Sequence, residues 1–78
     1  MVADVIDMKK KIFLKAIQEL GVQPVLAEIR DRMAVITGEK SIPLLEAQGI
    51  RNDLLARGCI QLHSLRHTLT ERGRHVAT

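Results

Sequence analysis

Leu54-Leu55-Ala56-Arg57-Gly58-Cys59-Ile60-Gln61-Leu62-His63, with His67-Thr68-Leu69-Thr70-Glu71-Arg72-Gly73-Arg74 after it, is the stretch whose reading decides the fold. Gly58 is placed to stop a helix, since glycine adopts the left-handed conformation of a helix end without a Cβ clash. Cys59 to His63 alternates in the strand sense, which turns Ile60 and Leu62 toward a core. Ser64-Leu65-Arg66 reads as a turn, and His67-Thr68-Leu69 returns as a second strand. Thr70 ends that strand and can cap a short final helix.

Upstream, the pattern changes from period two to period 3.6. A third helix is expected over about residues 42–57, with Leu44, Ala47, Ile50, Leu54 and Leu55 on one side. Ser41 suits its N-cap, and Pro43 is tolerated in the first turn. Gly49 inside that helix costs about 1 kcal/mol relative to Ala. One continuous helix is the leading expectation, with a break near Gly49 as the alternative. A second helix is expected over about 24–36, with Pro24 in its first turn. It would turn Val25, Leu26, Ile29 and Met33 inward, and Glu28 and Arg32 would pair outside. The first helix, about 5–20, would be capped by Asp4 or Asp7 and stopped by Gly21. Its stripe is Met8, Ile12, Phe13, Ala16, Ile17 and Leu20. Lys9, Lys10, Lys11 and Lys15 lie mostly off the stripe, as a solvated face or as phosphate contacts.

Composition narrows the class. The 78 residues are 46% hydrophobic, which suits one small globular domain over 1–78 and excludes a disordered chain. Phe13 is the one aromatic residue, so base-stacking platforms for single-stranded nucleic acid are missing. The formal charge of +3 is uneven. Residues 1–39 carry six Lys/Arg and six Asp/Glu, whereas residues 40–78 carry six Lys/Arg and only Glu46, Asp53 and Glu71 as acids. A basic C-terminal half suits a polyanionic partner. The lone Cys59 excludes an intramolecular disulfide framework and favours a reducing compartment. The acidic opening Met1–Asp7 does not read as a signal peptide, and no stretch is apolar and long enough to span a bilayer, so a cytoplasmic protein is expected.

Leu54-Leu55-Ala56-Arg57-Gly58-Cys59-Ile60 resembles the L-L-x-R-G-x-I that ends the recognition helix and opens the wing of winged helix-turn-helix proteins. His67-Thr68-Leu69-Thr70-Glu71-Arg72-Gly73-Arg74 resembles the Y-x-L-T-E-K/R-G-R that follows the wing in bacterial multidrug-resistance and phenolic-acid repressors, with His67 in the place of Tyr. The resemblance implies a mainly α fold with a small β-hairpin: a three-helix winged helix-turn-helix, with wing strands at about 59–63 and 66–69 and a C-terminal tail or helix over 71–78. It also implies a brief strand around Val22 pairing with the wing, a transcriptional regulator bound to double-stranded DNA, and a homodimer formed through the first helix or the C-terminal tail.

On that docking scheme the second helix of the pair enters the major groove. Lys40, Ser41, Gln48 and Asn52 become the reading positions. Gln48 and Asn52 share a face and can each pair with adenine. His63, Arg66, His67, Arg72 and Arg74 supply the wing and its base, with Arg66 at the tip. Glu46 and Asp53 oppose this reading, since carboxylates in a groove repel phosphate. The alternative is a winged helix used as a protein-interaction module. Cys59, His63 and His67, with His75 as a fourth, raise zinc as a question, but the spacing matches no common finger, and a buried small Cys59 is the plainer reading. No cofactor is expected. Phosphate loops, nucleophile elbows and paired-carboxylate patterns are missing from the sequence, so an enzyme is not expected.

Overall fold

The computed structural model describes residues 7–21 and 23–77. The order of elements is α1 (Met8–Leu20), α2 (Leu26–Thr37), α3 (Leu44–Ala56), β1 (Ile60–His63), β2 (Arg66–Leu69) and α4 (Glu71–Ala77). This is the mainly α chain with a small antiparallel hairpin that the sequence pattern predicts. The expected strand at Val22 and the expected cap at Asp4 lie outside the described residues.

The first helix is the hub. It packs against α2, α3, α4 and β2. Phe13, Leu14, Ala16 and Ile17 on α1 meet Ile29 and Met33 of α2, Ala47, Ile50 and Leu54 of α3, and Cys59 and Ile60 beside the hairpin. Asp7 caps α1 by accepting a hydrogen bond from the Lys10 N–H at 3.0 Å, so the helix begins at Met8.

Helix starts differ from the sequence reading, for a proline in one case and a β-bridge in the other. A proline ring excludes the helical conformation from the residue before it. Ile42 therefore stays outside the helix ahead of Pro43, and its side chain is buried in the core as a plug. Arg30 Nε donates to the Ile42 carbonyl at 3.0 Å and holds the connection. Ser41 is exposed and α3 starts at Leu44 with no side-chain cap, so Ser41 is not its N-cap. Leu44 is exposed as well, rather than part of the inward stripe. At α2, Pro24 lies before the helix and Val25 is extended, because Val25 forms a β-bridge with Arg66. Glu28 does not pair with Arg32. Its Oε1 accepts from the Val25 N–H at 2.9 Å, and Arg32 reaches Glu19 of α1 at 3.9 Å.

The stretch quoted first closes as two linked caps. α3 runs unbroken through Gly49. At its end the Cys59 N–H donates to the Leu54 carbonyl (3.0 Å) and the Gly58 N–H to the Leu55 carbonyl (3.1 Å), with Gly58 at φ 74°. That is a Schellman stop, which needs the positive φ that glycine supplies. Twelve residues after Gly58, the Thr70 hydroxyl donates to the Gly58 carbonyl at 2.7 Å and accepts from the Gly73 N–H at 3.0 Å. One side chain thus caps α4 and ties it to the end of α3. Thr70→Val, which keeps the shape and removes the hydroxyl, is expected to cost about 1–2 kcal/mol, while Thr70→Ser costs less than about 0.5. Urea denaturation of the two variants reads that difference directly.

Candidate nucleic-acid interface

α3 presents two sides of different chemistry. The side toward α1 carries its acids. Lys9 Nζ lies 3.0 Å from Glu39 and 3.0 Å from Glu46. Lys10 Nζ lies 3.1 Å from Asp53, which Arg57 Nε meets from the other side at 2.6 Å. Hydrogen bonds from Arg57 and then Lys10 hold the Asp53 carboxyl below its usual range, and those to Glu39 and Glu46 raise Lys9. These groups are solvent-screened, so their weight lies in orientation more than in stability. Two lysines of α1 are thereby engaged with carboxylates, and the two acids of α3 have partners.

The outward side of α3 is neutral. Gln48 is half-buried, and Asn52 is exposed with its Oδ1 accepting from Arg51 Nε at 3.2 Å. Between and beside them run Leu45, Gly49 and Ala56, all exposed, with Leu45 82% accessible. Lys40, in the turn before α3, is exposed.

The hairpin register is Ile60↔Leu69, Gln61↔Thr68, Leu62↔His67 and His63↔Arg66. The turn is therefore the two residues Ser64-Leu65, both at positive φ (49° and 67°), and Arg66 belongs to β2 rather than to the tip. A two-residue turn of this hand matches strand twist, but a leucine at positive φ is a costly occupant. Leu65 stands 72% exposed at the tip. Arg66 Nη1 donates to the Gln23 carbonyl at 2.8 Å, which pins the wing to the chain before α2. His63 is exposed across from it.

His67 is not an interface residue. It is 1% exposed, with its ring edge-on to Phe13 at 6.1 Å between centroids. Its backbone N–H and its Nδ1 both meet the Pro24 carbonyl, at 2.9 and 3.0 Å. A carbonyl only accepts, so Nδ1 carries the proton and Nε2 keeps a bare lone pair, which has no partner among the described residues. Burial pushes this imidazole below its ordinary pKa. The Pro24 hydrogen bond opposes that shift, and the Arg51 charge adds to it. Cys59 is fully buried, His67 is bonded to the Pro24 carbonyl and His63 is exposed. Among the described residues no three His, Cys, Asp or Glu side chains converge as a metal site would require.

At the base of the wing, Arg72 and Arg74 are exposed on α4, and Arg74 Nη1 donates to the Leu69 carbonyl at 3.3 Å. The structure thus leaves Lys40, Gln48, Asn52, His63, Arg66, Arg72 and Arg74 at or near the surface and withdraws His67. The sequence reading missed Leu45. The signal was available: a helical wheel that places Ala47, Ile50 and Leu54 inward leaves Leu45 outside. No helix of the described residues is long and apolar enough to cross a membrane. No protein-family model, curated protein or solved structure matches this chain.

Proposed function

We propose that this chain is a winged helix-turn-helix regulator that occupies duplex DNA through α3 and the hairpin. The observation that carries this reading is the turning of Glu46 and Asp53 toward Lys9, Lys10 and Arg57. Carboxylates facing a groove were the main electrostatic obstacle, and here their charges are matched by lysine and arginine within the fold. The side left outward offers Gln48 and Asn52, amides suited to an adenine edge, and Leu45, an apolar surface suited to a thymine methyl. In this reading Lys40, Arg66, Arg72 and Arg74 neutralise phosphates, Arg66 and Arg74 while also bonded to backbone carbonyls, and such contacts position a protein without reading sequence.

A second reading has its own observation. The outward line Leu45–Gly49–Asn52–Ala56 holds no charged residue, although Arg51 reaches its Asn52, and Leu45 is the most exposed of the large apolar residues described. A neutral helix face led by an exposed leucine also fits a groove on a protein, so the interaction module is the competing function.

Labelled random duplex DNA titrated with the protein separates them. The DNA reading expects a Kd of about 1–100 μM at moderate salt, weakening steeply as salt rises. Lys40→Glu should weaken binding to all sequences and lower the salt slope by about 1, while Gln48→Ala should change preference among sequences. Absence of binding at low salt by folded protein overturns the DNA reading and leaves the Leu45 face to a protein partner.

A further inference from the structure

Lys9, Lys10, Lys11 and Lys15 all stand on α1, and the fold supplies carboxylates for the first two alone. A helix dipole favours acids in a first turn, yet that of α1 holds lysines and no acid. Lys9 meets Glu39 and Glu46, and Lys10 meets Asp7 and Asp53. Lys11 and Lys15 are exposed and make no ion pair among the described residues. They stand one turn apart on the same helix, where like charges repel.

The same two lysines border an apolar depression between α1 and α2. It holds about 340 Å³ and is lined by Met8, Lys11, Ile12, Lys15 and Ile36. Met8 is 70% exposed, and Ile12 and Ile36 are half-buried. No acidic side chain lines it. The depression is open to solvent, so a small free ligand would keep much of its apolar surface in water. A helix of another protein brings its own covering wall and loses less by that openness.

We propose that this depression docks an acidic amphipathic helix of a partner protein. The apolar stripe of that helix lies on Met8, Ile12 and Ile36, and its carboxylates meet Lys11 and Lys15. Residues one turn apart have Cβ atoms about 5–6 Å apart on any helix, so glutamates at i and i+4 match the lysine spacing. The partner's acids then do for Lys11 and Lys15 what Glu39, Glu46 and Asp53 do for Lys9 and Lys10. An anionic bilayer is a poorer match, because Glu28 and Asp31 line the next depression on the same pair of helices. The site shares no residue with α3 or the hairpin and does not depend on what they bind.

The probe is a fluorescein-labelled helical peptide with leucine along one stripe and glutamate at i and i+4 beside it. Titrated with the full chain and read by anisotropy, it is expected to saturate with a Kd of about 10–100 μM. Lys11→Glu combined with Lys15→Glu should weaken it by about tenfold or more. The same double variant should take up a peptide with lysine in place of each glutamate, which the native chain does not bind. Met8→Ser leaves both lysines in place and should weaken the glutamate peptide by about threefold or more. All three positions are exposed, and circular dichroism confirms that the variants stay folded. Absence of saturable binding overturns the proposal, including where the chain instead binds phosphatidylglycerol vesicles. So does peptide binding that the double variant leaves unchanged, because the peptide then lies elsewhere. Self-association that the double variant abolishes overturns it too, since a second copy is then the occupant.

Discussion

Gly73→Ala is expected to destabilise the fold by about 3 kcal/mol, although the same change raises helix propensity. Gly73 lies in α4 directly against the end of α3. A Cβ there would overlap the carbonyl oxygen of Cys59 and press on Leu69 Cδ2 at 3.3 Å. The Cys59 carbonyl cannot swing aside freely, because it accepts the Thr70 N–H at 3.1 Å and sits within the Schellman stop. A backbone atom must move, or α4 must lift. Gly49→Ala supplies the control. Gly49 is also helical, but a Cβ there meets nothing within 4 Å. That substitution should stabilise the protein by about 0.5–1 kcal/mol through helix propensity alone. Thermal unfolding of both variants tests the pair. Shifts of the same sign would mean that the close approach of α4 to Cys59 does not exist in solution.

The second large effect belongs to His67. Truncating it to Ala removes a buried ring, its edge contact with Phe13 and a hydrogen bond to Pro24, for an expected loss of about 3 kcal/mol. The pH dependence is more diagnostic. Below the unfolded-state pKa of about 6.5 the unfolded chain takes up a proton at this position. The folded chain resists, since its pKa is depressed and Nε2 has no acceptor to meet. The stability contribution is therefore full above about pH 6.5 and declines as pH falls toward the depressed folded value, by at most about 1.4 kcal/mol per pH unit. The charge facing the ring from α3 is Arg51, which sharpens the penalty. His67→Leu keeps most of the volume and should flatten this part of the stability–pH curve, measured by urea unfolding from about pH 7.5 down to about pH 5. An unchanged slope in His67→Leu would locate the acid sensitivity elsewhere.

These two residues show what a sequence can and cannot disclose. Helix ends were legible because a glycine stop is a local backbone requirement, and Gly21, Gly38 and Gly58 each follow a helix. The start of α3 was partly legible. Ser41 advertises a cap, but the steric demand of Pro43 on Ile42 outweighs it, and both facts were in the chain. The turn read as Ser64-Leu65-Arg66 is one residue too long, whereas the strand bounds of about 66–69 implied by the resemblance match β2. Since side chains alternate, that slip reverses a strand's faces. With a two-residue turn His67 falls opposite Leu62, on the inward face. The pairing of Lys9 with Glu46 was not legible, because no single-helix pattern relates residues 37 apart. The motif Leu69-Thr70-Glu71-Arg72-Gly73-Arg74, which suggested a regulator, has a structural account in which Thr70 caps and Gly73 yields space. It fixes the base of the wing whatever the wing touches.

Residues 23 to 25 join residues 66 and 67 by the Arg66–Gln23 bond, the two His67–Pro24 bonds and the Val25–Arg66 bridge. Every one of these spans about 41 to 43 residues of chain. Closing a flexible loop of that length costs about 3 kcal/mol of chain entropy, before any contact made by the closure is counted. The packing of α1 on β2 and α4 joins stretches of chain at least as far apart, so the seam closes as part of the same core. Burial holds the His67 imidazole below its ordinary pKa, so the seam that joins these distant parts of the chain is also where an added proton works against the fold.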